Sequence, residues 1–133
     1  MRPAEVRPVG VRPAEALPAA ERLKRRPDFL RCYRRGRRFH GDQAILYAVS
    51  NDLGHPRLGI TASRKVGKAV VRQRIKRRIR EIYRRWHRRS SLPAVDLVVH
   101  LKAGVGPVEF HRLRGELQGL MRRVIRKPPP SSA

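Results

Sequence analysis

Cysteine occurs once in this sequence, at Cys32, so no disulfide can form within the chain and nothing points to an oxidising compartment. Acidic residues are scarce, 10 Asp and Glu against 33 Lys and Arg, which leaves a formal net charge of +23. Aromatic residues make up only 5%, so each Phe or Tyr outside a core has to be accounted for. No apolar run approaches the roughly 20 residues needed to cross a bilayer, and the N-terminus lacks the hydrophobic region of a signal peptide. A cytoplasmic protein with no membrane partner is expected. The 133 residues suffice for one domain and not for two comfortable ones.

Catalytic groups are also sparse. Asp28, Asp42, Asp52 and Asp96 are scattered among expected turns and strands, with no two in a shared motif. His40, His55, His87, His100 and His111 lack metal-ligand spacing, and Cys32 has no nearby Cys or His partner. Each histidine reads as an ordinary surface or partner-facing residue. Gly67-Lys68 matches part of a phosphate-binding loop. However, Ala62 stands where that motif needs its first Gly, and Ala69 where it needs Ser or Thr. No catalytic residue and no metal site are expected, so any chemistry this protein serves belongs to a partner.

Positive charge is what the chain has most of. From Arg64 to Arg89 there are 13 Lys or Arg against one acid, Glu81, a local charge of +12. Within that run Val71, Ile75, Ile79, Ile82 and Trp86 recur at intervals of four, four, three and four, which is the stripe of one helical face. A disordered basic tail has no reason to keep such a stripe. Arg77, Arg80, Arg84 and Arg88 fall opposite it, while Arg72 and Arg78 flank it, so one face packs and the other can meet phosphates. A solvated basic face, as on a membrane-surface or calmodulin-binding helix, is the plainer alternative. The overall charge exceeds what solubility requires and favours nucleic acid, whose counterions are released on binding.

Residues 1–22 repeat Arg-Pro-Ala-Glu at positions 2 and 12, with Pro3, Pro8, Pro13 and Pro18 disfavouring helix. They read as a flexible tail, as does 128–133, leaving a domain over 23–127. Pro27 and Asp28 suit a helix start and Gly36 a left-handed cap, which frames a helix from Pro27 to Arg35. Strands follow over Arg38 to His40, Ala44 to Ser50 and Arg57 to Ser63, and then the basic helix from about Lys68 to Arg89. A further strand alternates Val95, Leu97, Val99 and Leu101 on one side with Asp96, Val98, His100 and Lys102 on the other. Phe110, Leu113, Leu117, Leu120, Met121 and Val124 form the stripe of a last helix, in a segment opened by Pro107. Gly115 and Gly119 weaken that helix by roughly 1 kcal/mol each relative to Ala, and either admit another backbone or are merely tolerated. The order αβββαβα makes a single-domain α+β fold, an α/β sandwich.

The block Lys65, Gly67, Lys68, Ala69, Val70, Arg72, Arg74, Ile75, Lys76, Arg77 resembles the signature of the protein subunit of bacterial ribonuclease P. Gln73 departs from it, since the family usually has Asn there. The resemblance runs from Leu17 to about Arg126. It takes in Arg22-Leu23-Lys24-Arg25-Arg26-Pro27-Asp28-Phe29 as the family's opening and Ile45-Leu46-Tyr47 as its aromatic strand. The resemblance implies a mixed four-stranded sheet with a left-handed strand-helix-strand crossover. It also implies a protein that binds a catalytic RNA and the single-stranded 5′ leader of precursor tRNA. That RNA removes the leader to form the mature 5′ end, using Mg²⁺ held by RNA and not by the protein. Lys65, Lys68, Arg72, Arg74, Lys76, Arg77 and Arg78 would then contact the catalytic RNA. Phe29, Tyr33 and Tyr47 would stack on unpaired leader bases, at about 1–3 kcal/mol per base. Core packing is the alternative for Phe29 and Tyr33. The rival for the whole chain is a ribosomal or chaperone-like RNA-binding protein, which needs neither the Gly-Lys-Ala-Val-Val-Arg-Gln-Arg core nor the aromatic pair.

Overall fold

The computed structural model describes residues 17–103 and 110–130. The repeat before Leu17, and Pro107 with its segment, lie outside the described residues. Helix α1 spans Arg26–Arg35 and is followed by strands β1 Arg37–His40, β2 Ala44–Ser50 and β3 Arg57–Thr61. Helix α2 spans Ala69–Arg85, β4 spans Val95–Leu101, and α3 spans Phe110–Arg126. The sheet order is β1-β2-β4-β3. β2 lies antiparallel to β1 and β4, whereas β3 and β4, joined through α2, run parallel. The αβββαβα order agrees with the reading of the residues, and the mixed four-stranded sheet with what the resemblance implies.

Period-two alternation sends each strand's side chains to two faces. On one face Ala44, Leu46, Ala48, Leu58, Ile60, Leu97, Val99 and Leu101 form the main core with the stripes of both long helices. α2 contributes Ile75, Ile79, Ile82 and Tyr83 to it, and α3 contributes Leu113, Leu117, Leu120, Met121 and Val124. The other face carries Ile45, Tyr47, Val49 and Val98, against which Cys32, Phe29 and Tyr33 of α1 pack. The molecule is thus three-layered, with α1 and α2 on opposite sides of one sheet.

Several local expectations differ from the structure. α2 stops at Arg85, and Trp86, buried at the end of the stripe, takes an extended cap, so Arg88 is not on the helix. Gly36 is extended (φ −71°, ψ 148°) and not left-handed. It is constrained by space, because a Cβ there would run into the Cys32 carbonyl. Within the stretch read as a tail, Leu17 is buried, and Leu23 N–H donates to Leu58 C=O as the chain runs beside β3. Residues 128–130, read from the sequence as the start of a disordered tail, are held: Pro129 is buried, the Ser50 hydroxyl donates to Pro130 C=O, and Arg37 donates to Lys127 C=O. Their fixed φ and free carbonyls suit them to accepting from Ser50 at the end of β2 and Arg37 at the start of β1. Gly115 and Gly119 admit no neighbouring backbone, since a Cβ would meet nothing at 115 and only the Arg122 guanidinium at 3.7 Å at 119.

Candidate nucleic-acid interface

The parallel register of β3 and β4 builds the face beneath α1. It pairs Arg57 with Asp96, Gly59 with Val98 and Thr61 with His100, and the antiparallel register of β2 places Ile45, Tyr47 and Val49 beside them. Read along the strands, this face is ionic at one end, smooth in the middle and polar-aromatic at the other.

The ionic end anchors α1. Asp96 is completely buried. Arg57 donates to both its carboxylate oxygens, at 2.9 and 2.7 Å; Arg31 of α1 reaches it at 3.1 Å and Asn51 at 2.8 Å. Burial alone would raise its pKa, but the hydrogen bonds from Arg57 and Asn51, with the Arg57 charge, hold it below the usual carboxylate range. Cys32 beside it is sealed, and burial together with the Asp96 charge pushes its thiol up to about 12. Asp96, one of the acids scattered through the sequence, is thus the anchor between α1 and the sheet. The signal was present in the sequence as a lone acid inside the run Val95 to Leu101, on the side of Val98.

In the middle, the Phe29 ring covers Gly59. At the far end the Tyr33 hydroxyl lies 2.7 Å from Thr61 Oγ1, which lies 2.8 Å from His100 Nδ1. Tyr33 and Tyr47 meet edge to face at 4.8 Å, and the Arg38 guanidinium sits 5.8 Å from the Tyr47 ring centre. Phe29 and Tyr33 are half-buried, whereas Tyr47 is only 9% exposed, so most of its ring is taken up by protein. The structure brings Phe29, Tyr33 and Tyr47 together where α1 packs on the sheet.

Three residues beyond Thr61, the chain enters a basic turn, Arg64–Val66. It passes through Gly67 at φ 156°, where a Cβ would crowd Val71, and into α2. No side chain caps α2 and no acid lies in its first turn, so its free N–H groups add to the potential of exposed Lys65 and Lys68. The Arg72 guanidinium donates to Gly67 C=O at 2.8 Å, closing the turn. Arg74 and Arg77 are exposed on the outer face. Lys76 lies on the Arg72 flank, and Arg78 on the other flank stacks 5.2 Å from the Phe110 ring of α3. Of the seven basic candidates, Lys65 and Lys68 therefore lie in the turn that enters α2, and the other five wrap three sides of the helix instead of sharing one face. Arg80, half-buried, is lowered in pKa by burial and by the charges of Arg22 and Arg77, a crowding of like charge that an anion relieves.

A family model for ribonuclease P matches residues 17–125. The chain belongs to the ribonuclease P protein family. It is 41% identical over 121 residues to the ribonuclease P protein component of Desulfovibrio desulfuricans, covering 88% of this chain and 92% of that one. With that of Citrifermentans bemidjiense the identity is 37% over 110 residues, or 83% and 93% of the two chains. Among solved structures it resembles the ribonuclease P protein of Thermotoga maritima, with TM-score 0.69, 33% identity and coverage of 77% and 96%. It also resembles that of Staphylococcus aureus, with TM-score 0.70, 30% identity and coverage of 78% and 94%.

As a ribonuclease P protein, the chain is part of an endoribonuclease complex. Among the described residues no group of three or more His, Cys, Asp or Glu is placed to hold a metal ion, and no helix is long and apolar enough to cross a membrane. The sequence singled out neither Thr61 nor, beyond an ordinary surface or partner-facing reading, His100; the structure places both beside Tyr33. Their signal was positional: each is the last polar residue of a strand on the face that also carries Gly59 or Val98.

Proposed function

We propose that this chain is the protein subunit of ribonuclease P. It binds the catalytic RNA through the basic turn and α2, and holds the 5′ leader of precursor tRNA in the cleft between α1 and the sheet. The carrying observation is continuity: Thr61 contributes to the aromatic cleft, and Arg64, three residues on, opens the basic turn. Because β3 is an edge strand, RNA bound along the basic turn can pass around that edge to the face that carries α1. Catalysis is assigned to the RNA, with Mg²⁺ held there, and the protein's work is charge neutralisation and leader positioning.

The test is reconstitution. The isolated protein should leave precursor tRNA intact, while adding the catalytic RNA should give cleavage at low Mg²⁺ that the RNA alone does not achieve. Cleavage by RNA-free protein, surviving nuclease controls, would overturn the assignment. Within the holoenzyme, Phe29→Ala should weaken precursor tRNA binding several-fold and leave mature tRNA binding nearly unchanged, since only the precursor carries unpaired 5′ bases to stack.

A further inference from the structure

The cleft holds a polar device that stacking does not use. Thr61 Oγ1 lies 2.7 Å from the Tyr33 hydroxyl and 2.8 Å from His100 Nδ1, while the Tyr33 hydroxyl is 3.3 Å from that nitrogen. Nδ1 has one lone pair when neutral, and the shorter contact claims it. Two proton arrangements satisfy Thr61. In the first, Tyr33 O–H donates to Thr61, whose O–H donates to Nδ1, so the imidazole proton sits on Nε2. In the second, Nδ1–H donates to Thr61 and Thr61 donates to the phenol oxygen, which leaves the Tyr33 proton without an acceptor among the described residues. A phenol is the better donor and the poorer acceptor of the two hydroxyls. Burial raises the Tyr33 pKa, so that proton is retained at neutral pH. The first arrangement uses every group.

Its consequence falls on the other side of the ring. Nε2 makes no hydrogen bond to any described residue, and His100 is half-exposed. Nε2 carries a proton in this tautomer and in the imidazolium as well, so it is a donor in either charge state. The rings of Tyr33 and Tyr47 stand nearly perpendicular to His100, at 5.9 and 6.4 Å, and fix its plane. We infer that His100 Nε2–H donates a hydrogen bond to an acceptor on the edge of one unpaired leader base, with Thr61 and Tyr33 acting as positioning residues that set its tautomer. This rests on the leader-binding reading above and adds to it a base-reading contact. The edge of a base is favoured over a phosphate because the donor's ring is flanked by the rings of Tyr33 and Tyr47, the kind of surface on which unpaired bases stack, and makes no contact with a cation among the described residues.

The experiment uses reconstituted holoenzyme and measures affinity for precursor and mature tRNA. His100→Leu should weaken precursor binding about 3- to 10-fold, the range for one hydrogen bond, and leave mature tRNA unaffected. His100→Gln, which keeps an amide donor, should restore part of the loss. Thr61→Val, close in shape, should give a smaller loss with the imidazole in place. An abasic nucleotide scanned along the leader should abolish the His100→Leu effect at one position. If a methylphosphonate scan abolishes it instead, the contact is to phosphate and the inference falls. It also falls if precursor and mature tRNA lose equally. If wild-type holoenzyme does not distinguish precursor from mature tRNA, the leader reading itself fails, which is a separate outcome. Nitrogen-15 spectra of the folded protein supply a readout free of RNA: His100 should carry its proton on Nε2, and an Nδ1–H tautomer would overturn the proposal.

Discussion

The ring of Phe29 rests on the backbone of Gly59, so closely that a Cβ at position 59 would fall 2.6 Å from its Cε1 and 3.0 Å from Leu23 Cβ. A missing side chain on β3 therefore sets how near α1 comes to the sheet, and with it the width of the cleft. Gly59→Ala should force Phe29 and Leu23 outward and cost about 1–3 kcal/mol, the usual penalty for overpacking. Denaturant unfolding checks the stability, and the folded variant should also show weaker precursor tRNA binding.

Asp96 should be among the least replaceable polar residues. Asp96→Asn removes the charge that Arg57 and Arg31 share and leaves both cations without it, at a cost of about 3 kcal/mol or more. The carboxyl is held below its ordinary value of 3.8, so its contribution is present above that pH and is lost as the pH falls through the lower folded-state value. The gap between wild type and variant, measured by denaturant midpoints, should therefore be full at neutral pH and shrink only in strong acid.

The thiol of Cys32, fully buried and pushed up to about 12, should be inert in the folded state. Alkylation at pH 8 should proceed at the rate of unfolding, and denaturant should make it fast. Rapid modification without denaturant would show that α1 lifts from the sheet far more readily than its ionic anchor implies.

Arg74 and Arg72 should separate in their effects. Arg74 is exposed, so Arg74→Ala should weaken catalytic RNA binding and reduce the log–log salt slope by about 0.7 to 0.9 with little change in stability. Arg72 also closes the turn at Gly67. Arg72→Ala should therefore add a stability loss of about 1 kcal/mol, the worth of one hydrogen bond. Unchanged slopes in both would place these arginines away from the RNA.

The glycines of α3 offer a gain. A Cβ at Gly115 meets nothing and at Gly119 only a flexible guanidinium, so Gly115→Ala and Gly119→Ala should each stabilise the protein by about 1 kcal/mol. Thermal midpoints should rise in both variants.

Wherever a single element's period carried the information, the sequence was sufficient. The stripe from Val71 to Trp86, the alternation of β4 and the stripe of α3 each specify a buried face, because burying apolar surface along a fixed period is a local property. The scarcity of acids against a surplus of Lys and Arg likewise announced a polyanionic partner without any coordinates. The Lys65 to Arg77 block named the family for the same reason. Tyr83, buried beside the α2 stripe, and the anchoring of Leu17 and Pro129 were not legible, since each depends on a neighbour remote in the chain.

Only the tertiary structure decided the pairings between strands. Period two tells that Asp96, Val98 and His100 share a face, but the parallel register of β3 on β4 is what sets Arg57 against Asp96 and Thr61 against His100. A one-residue slip of β3 would send Arg57, Gly59 and Thr61 to the opposite face. The sequence alone therefore determined which residues are apolar, basic or aromatic and which helical faces pack. The fold decided which polar groups meet, because charges and hydrogen bonds act over a few ångströms and those distances are set by the register of segments far apart in the chain.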